Sequence, residues 1–190
     1  DVYKRQIYAI AQLIRLGMSI DELHDITKIT NLFLESIARI VSMERTLADH
    51  VGDNAVLQAA KKMGFSDKYI AKLWNTPEID IYNQRKAAGI TPVFRMVDTM
   101  HTGKYIAYLY SSYSGENDSR LTDKQKIVVL GAGPIRIGQG VEFDYSTVHA
   151  VQTIKEAGFE AIIINNNPET VSTDYTCSDK LYFEPLTTED

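Results

Sequence analysis

Apolar residues recur at helical spacing from Ile7 to about Ala88, and after Gly89 that spacing stops. The switch restricts the chain to a helical portion followed by one built on strands. Ile7, Ile10, Ala11 and Ile14 form one stripe, and Gly17 stands where that helix would end. "SIDE" reads as a capping box, with Ser19 at the N-cap and Glu22 three residues on. A longer helix is expected after Thr30, where Leu32, Phe33, Ile37, Ile40, Val41 and Leu47 keep the spacing. Shorter helices follow, one closed by Gly64 and one starting from Ser66. Thr76 as N-cap with Pro77 at N1 opens a last one, ended by Gly89. This stretch shows no catalytic cluster and reads as a structural or interaction bundle.

Beyond Gly89, "TPVFRMVD" and "KYIAYLYSSY" are rich in strand formers. We read the stripe of Tyr105, Tyr108, Tyr110 and Tyr113 as half-buried strand packing rather than a base-stacking surface. Residues 114–125 are polar and aperiodic, as a linker is. Charge also divides there: residues 1–125 carry 16 basic and 15 acidic groups, and 126–190 carry 4 and 10. The domain boundary is expected in this linker. "KIVVLG" then reads as a buried strand, with a loop over 131–140. A helix is expected from a Ser146 cap to Gly158, followed by the strands "EAIIIN" and "KLYFEP". That is a βαβ unit, hence a parallel sheet wound in the right-handed sense.

Net charge is −5 with no Lys/Arg block, which argues against nucleic acid or an anionic membrane as partner. Cys177 is the only cysteine, so no internal disulfide or multi-cysteine metal site can form. No apolar run approaches about 18 residues and no signal peptide is visible, so a cytoplasmic location is expected. The chain lacks an initiator Met, and "DVYKRQ", residues 1–6, reads like a translated sequencing adapter. At the other end "EPLTTED" offers Thr187 or Thr188 as a helix N-cap and then stops. Both ends read as cut, so a fragment is expected.

The glycine-rich stretch "GAGPIRIGQG" invites a nucleotide reading, yet both common templates fail. A dinucleotide fingerprint has Arg136 in place of its third glycine, and the second strand ends on Asn165 where a ribose-binding acid belongs. A Walker loop is spaced by Gly133 and Gly138, but Gln139 and Gly140 replace its Lys and hydroxyl. What remains is a glycine turn between strand and helix, explained as well by tight packing as by a ligand.

Longer words are more specific. "GAGPIRIGQGVEFDYS", "NNNPETVSTDYTCSDKLYFEPLT" and "TPVFRMVDT" together resemble the large chain of carbamoyl phosphate synthase, from Ile7 to Asp190. The resemblance implies an α + α/β chain. An N-terminal all-helical oligomerisation domain, 7–113 with its extended segment, is followed by the linker 114–125. The first βαβ unit of a truncated, Rossmann-like pre-ATP-grasp domain then occupies 126–190. It implies a parent that is an ATP-dependent ligase making carbamoyl phosphate from bicarbonate, glutamine-derived ammonia and two ATP. That parent would use ATP and Mg or Mn, with none expected bound to this fragment. Its partners would be a glutaminase small chain and copies of itself, with no nucleic acid and no membrane. The parent's pathway would be arginine or pyrimidine synthesis, or both. By motif position Gly140, Glu142 and Glu169 would line a carbamate tunnel. Gly131, Gly133, Arg136, Gly138, Asn167 and Asp174 would organise the loops, with Arg136 a neighbour for the acids.

The same residues have plainer readings. Glu142 alone reads as a cap for the helix near Ser146, and 165–167 as turn formers satisfying their own backbone. Asp144 and Asp174 read as loop-organising acceptors rather than metal ligands, His149 as a packed histidine, and Cys177 as no nucleophile. Ala132 and Ile135 depart from the family's glycine and asparagine. ATP-grasp lysines, acidic metal ligands, a glutaminase docking surface and an allosteric domain are absent from the sequence. A nucleotide-binding Rossmann-like oxidoreductase module and a structural helical adaptor stand as alternatives.

Overall fold

The computed structural model describes residues 5–98, 101, 103–187 and 189, and forms two compact units, Asp1–Ile90 and Thr91–Asp190. Most of the expected adapter stretch, residues 1–4, lies outside the described residues, as does Thr188; Gln6 opens the first helix.

The first unit is six helices: α1 (Gln6–Arg15), α2 (Ile20–Thr27), α3 (Asn31–Asp49), α4 (Asn54–Lys62), α5 (Asp67–Trp74) and α6 (Glu78–Ala87). Their starts follow local chemistry. The Ser19–Glu22 capping box forms in both directions, Asp53 caps α4, and Ser66 accepts from the Tyr69 N–H. Pro77 is the N-cap of α6 and Glu78 its first residue, one position later than expected. Ile10, Leu23 and Leu34 form a core joining α1, α2 and α3. The expected α3 stripe is only partly buried: Val41 and Leu47 go inside, whereas Leu32, Phe33 and Ile40 stay exposed.

Farther along, the Trp74 indole donates to the Leu47 carbonyl at 2.7 Å. The unit also holds a buried charged group the sequence did not reveal. Asp67 accepts from Lys61 at 2.9 Å and from Arg85 Nε at 2.6 Å, with all three side chains at most 3% exposed. Lys61 also donates to the Phe65 carbonyl at 2.8 Å. Buried charges of this kind are tolerable only while paired, because removing one partner strands the others in a low-dielectric interior.

The second unit is a five-stranded sheet. Its strands are β1 (Val93–Met96), β2 (Tyr108–Ser112), β3 (Lys126–Leu130), β4 (Glu160–Ile164) and β5 (Lys180–Tyr182), in the order β1-β2-β5-β4-β3. Strand β1 is antiparallel to β2, and every other pairing is parallel. This moves the expected boundary. Because β2 pairs with β5, the segment after Gly89 belongs to the sheet, and the division falls at Ile90 rather than within 114–125. Tyr108 and Tyr110 pack in a half-buried row against Phe183, as expected of strand packing.

Helix α7 (Tyr145–Glu156) crosses from β3 to β4 and buries Val151 against Ala161, Ile163 and Leu181. Its N-cap is Asp144, not Ser146, and Gly158 follows its end at φ +86°. Strand β4 is buried on both faces, but β3 is not the buried strand expected. Val129 packs on the core, whereas Val128 and Leu130 on the alternate face are 50% and 67% exposed. As an edge strand, β3 has β4 as its one neighbour and α7 over one face among the described residues. At the amino ends of the strands Glu160 pairs with Lys180 at 2.8 Å. Burial would raise the Glu160 carboxyl, but hydrogen bonds from Lys180 and Thr122, with the Lys180 and Lys126 charges, hold it below the usual range. Among the described residues no helix is long and apolar enough to cross a membrane.

Replacing Asp67 by Ala is expected to destabilise the helical unit by about 3–5 kcal/mol, since two cations lose their counter-charge. Urea unfolding followed through Trp74, the chain's single tryptophan, reads this directly. A triple change of Lys61, Asp67 and Arg85 to apolar residues of similar volume is expected to recover most of the loss.

Candidate functional site

Strands β3 and β4 run parallel, and the connections leaving their carboxyl ends carry every residue that the family resemblance singled out. In open parallel sheets this end is where loops converge on ligands. The first connection spans 131–144. The Gly131 N–H donates to the Ile164 carbonyl at 2.9 Å, carrying the β3–β4 ladder one step further. A Cβ at Gly131 would collide with the Asn165 side chain, so this glycine is required by close approach.

Asn165, fully buried, is the hub. Its Oδ1 accepts from the Gly133 N–H at 3.1 Å, and its Nδ2 donates to Ser172 Oγ at 3.4 Å. Its own N–H donates to the Tyr182 carbonyl at 3.1 Å. The Ser172 N–H in turn donates to Asp144 Oδ2 at 2.9 Å. One buried path therefore runs from the glycine loop through Asn165 and Ser172 to the start of α7. It ties the loop after β3 to the loop after β4.

Asn167 behaves as expected of a turn former. Its Oδ1 accepts from the Glu169 N–H at 2.9 Å, and its carbonyl accepts from the Thr173 hydroxyl at 2.8 Å. Asn165 does not; it bridges distant segments instead. Asp144 is the acceptor expected, whereas Asp174 organises its loop through its backbone, donating to the Val171 carbonyl and accepting from the Cys177 N–H. Ser172 was missed altogether, because a serine in a polar loop carries no signal of burial.

The residues named for a tunnel are all exposed. Glu142 lies in the 3₁₀ turn Val141–Phe143, and its carboxylate folds over Gly140 so closely that a Cβ there would collide with it. Glu169 follows Pro168 at the start of the second loop. The Arg136 guanidinium pairs with neither among the described residues; the Arg136 backbone instead joins Gln139 in a turn with Gly138 at φ +87°. His149 is exposed, its ring 4.2 Å from that of Tyr145. Burial, with the charges of Asp144 and Asp174, pushes the Cys177 thiol up, which makes it a poor nucleophile.

These facts decide what the glycine loop can hold. A phosphate cradle needs free backbone N–H groups aimed at the ligand. Here the N–H groups of Gly131 and Gly133 are taken by Ile164 and Asn165, and those of Arg136 and Gln139 by each other's residue within the loop. The Asn165 side chain is bonded to Gly133 and Ser172, and no acid stands at the end of β4 to hold a ribose hydroxyl. Among the described residues no cluster of His, Cys, Asp and Glu could hold a metal ion. The loop matches neither nucleotide template, and no step through ATP or its metal is assigned to it.

Residues 2–89 match the family model of the carbamoyl-phosphate synthetase large chain, oligomerisation domain, and residues 123–190 match that of the carbamoyl phosphate synthase preATP-grasp domain. Between them the two matches cover most of the chain; the first follows the helical unit, and the second begins at 123, within the expected linker and well inside the second unit. The chain belongs to the carbamoyl phosphate synthase large-chain family, a family of ligases.

Two outcomes follow from the failed nucleotide templates and the Asn165 network. The chain on its own is expected to show no micromolar ATP binding by calorimetry. Asn165→Ala is expected to cost about 1–3 kcal/mol by leaving the Gly133 N–H unpaired and cutting the tie to Ser172. Hydrogen exchange at the Gly133 amide should accelerate in that variant while the amides of α3 stay protected.

Proposed function

We propose that this chain is the middle of a glutamine-dependent carbamoyl phosphate synthase large chain, and that its loops form part of a carbamate passage. The parent reaction makes carbamoyl phosphate from bicarbonate, ammonia released from glutamine by a small partner chain, and two ATP. In this reading the helical unit serves self-association. Gly140, Glu142 and Glu169 form wall. The reading is supported most by the buried tie between Asp144, Ser172 and Asn165. It anchors the two loops two residues after Glu142 and three after Glu169. Two acids on flexible loops could not shape a passage; two acids on loops clamped to one hub can.

The chemistry suits carboxylates. Carbamate decomposes on protonation, so a path past it must exclude bulk water and present few proton donors. Ionised Glu142 and Glu169 offer oxygens that only accept hydrogen bonds, and Gly140 presents no side chain to narrow the way. ATP would supply phosphoryl groups in other parts of the parent chain, and the residues here would guide and shield.

In the full-length parent, Glu142→Lys or Glu169→Lys is expected to lower overall carbamoyl phosphate synthesis at least about tenfold, a barrier of roughly 1.4 kcal/mol. Bicarbonate-dependent ATP hydrolysis and ATP synthesis from carbamoyl phosphate should both persist, since neither needs passage between halves. A uniform loss of all three activities, tracking a lowered melting temperature, would make these glutamates structural.

A further inference from the structure

The second unit holds a cavity of about 250 Å³ whose lining plays no part in the carbamate passage. Tyr108 and Tyr110, two residues apart on β2, point to the same face of the sheet, with ring centroids 5.4 Å apart. The loop between β4 and β5 contributes Asp174 and Tyr175, and Val97 and Ile106 add apolar wall. The volume lies below the roughly 300–1,000 Å³ of sites for drug-sized molecules and far above the about 30 Å³ of one water. It suits a small organic molecule.

Charge selects among such molecules. Asp174 is the one charged side chain among the described residues that line the cavity, with no lysine or arginine beside it. The whole unit, 91–190, carries 8 basic and 14 acidic groups. Burial raises the Tyr108 phenol well above its ordinary range, and a hydrogen bond with Tyr110 and the Asp174 charge push it further. Added negative charge is therefore disfavoured here, which excludes an anion as occupant. A bare calcium-like ion would find one carboxylate, far short of the about 6–8 oxygens it takes. Three tyrosines beside one carboxylate are instead the groups that recognise an organic ammonium ion. The rings attract its spread charge, and the carboxylate balances it.

We propose that this cavity binds a small alkylammonium ion, with its apolar body among Tyr108, Tyr110 and Tyr175 and its charge beside Asp174. The site stands apart from the carbamate passage: Pro168 lines it, but Gly140, Glu142 and Glu169 do not.

Titrating the 190-residue chain with tetramethylammonium chloride, and separately with tert-butanol, a neutral molecule of similar shape, tests it through amide chemical shifts. The amides of residues 108–110 and 173–175 are expected to shift with tetramethylammonium, and tert-butanol to bind at least about tenfold more weakly. Asp174→Asn and Tyr110→Leu are each expected to weaken tetramethylammonium binding at least about fivefold, with the rest of the amide spectrum unchanged. Asp174 is exposed, so its variant decides the matter should Tyr110→Leu disturb the sheet. Glu156→Gln removes a charge from α7 outside the cavity and should leave binding as it was. If tetramethylammonium shifts none of these amides, the site falls. Equal binding of tert-butanol would overturn the choice of an ammonium ion. Undiminished binding to Asp174→Asn would place the ion elsewhere and overturn the proposal.

Discussion

The buried amide of Asn165 is what the loops at the carboxyl end of the sheet depend on. Its oxygen holds the glycine loop, its nitrogen holds Ser172, and Ser172 holds the aspartate that begins α7. Each bond alone contributes about 1 kcal/mol, but inside the protein the cost of leaving one unmade is larger than the gain from making it. The network therefore acts as a lock. Asp144 makes no side-chain bond to its own helix; its carboxylate accepts from the second loop.

The helical unit is organised by a different economy. Its interior holds three charges locked on Asp67, whereas part of its exterior is apolar. Both reverse the ordinary arrangement. The charges tie α4, α5 and α6 together, since Lys61, Asp67 and Arg85 come one from each helix. Meanwhile α3, the longest helix, presents Leu32, Phe33 and Ile40 outward. A unit whose rigidity comes from an internal ion group can leave apolar side chains free for another surface.

Where information was local, the sequence showed it. Capping residues marked the starts of α2 and α5, and glycines with positive φ followed α1, α4 and α7. The two compact units divide at Ile90 although the pre-ATP-grasp match begins at 123, because the contact that draws the earlier segment into the sheet is not local: Tyr108 pairs with Leu181 across 73 residues, and no periodicity near Gly89 announces it. The burial of β3 was misread because an apolar run says that a strand can be buried, not that something lies over both its faces. The ion group left a trace that could have been found. Lys61 stands beside buried Ala60 and Arg85 one turn after buried Ile81, phases at which charged residues need a buried partner. For Ser172 and the bridging role of Asn165 no such trace exists.

The glycines show why one pattern supports several readings. Gly133 and Gly138 adopt positive φ, which L side chains rarely do, so backbone conformation demands them. Gly131 and Gly140 do not; each is needed because a side chain, Asn165 or Glu142, occupies the space a Cβ would take. A phosphate loop requires glycine for a third reason, the approach of a ligand to unpaired amides. Sequence cannot separate the three, because glycine looks the same under all of them. Hydrogen bonding separates them one glycine at a time: the amides of Gly131 and Gly133 are bound to Ile164 and Asn165, so neither is an unpaired amide awaiting a ligand. Such anchoring upstream of Gly140 and Glu142 is what the passage proposed above would need of this loop.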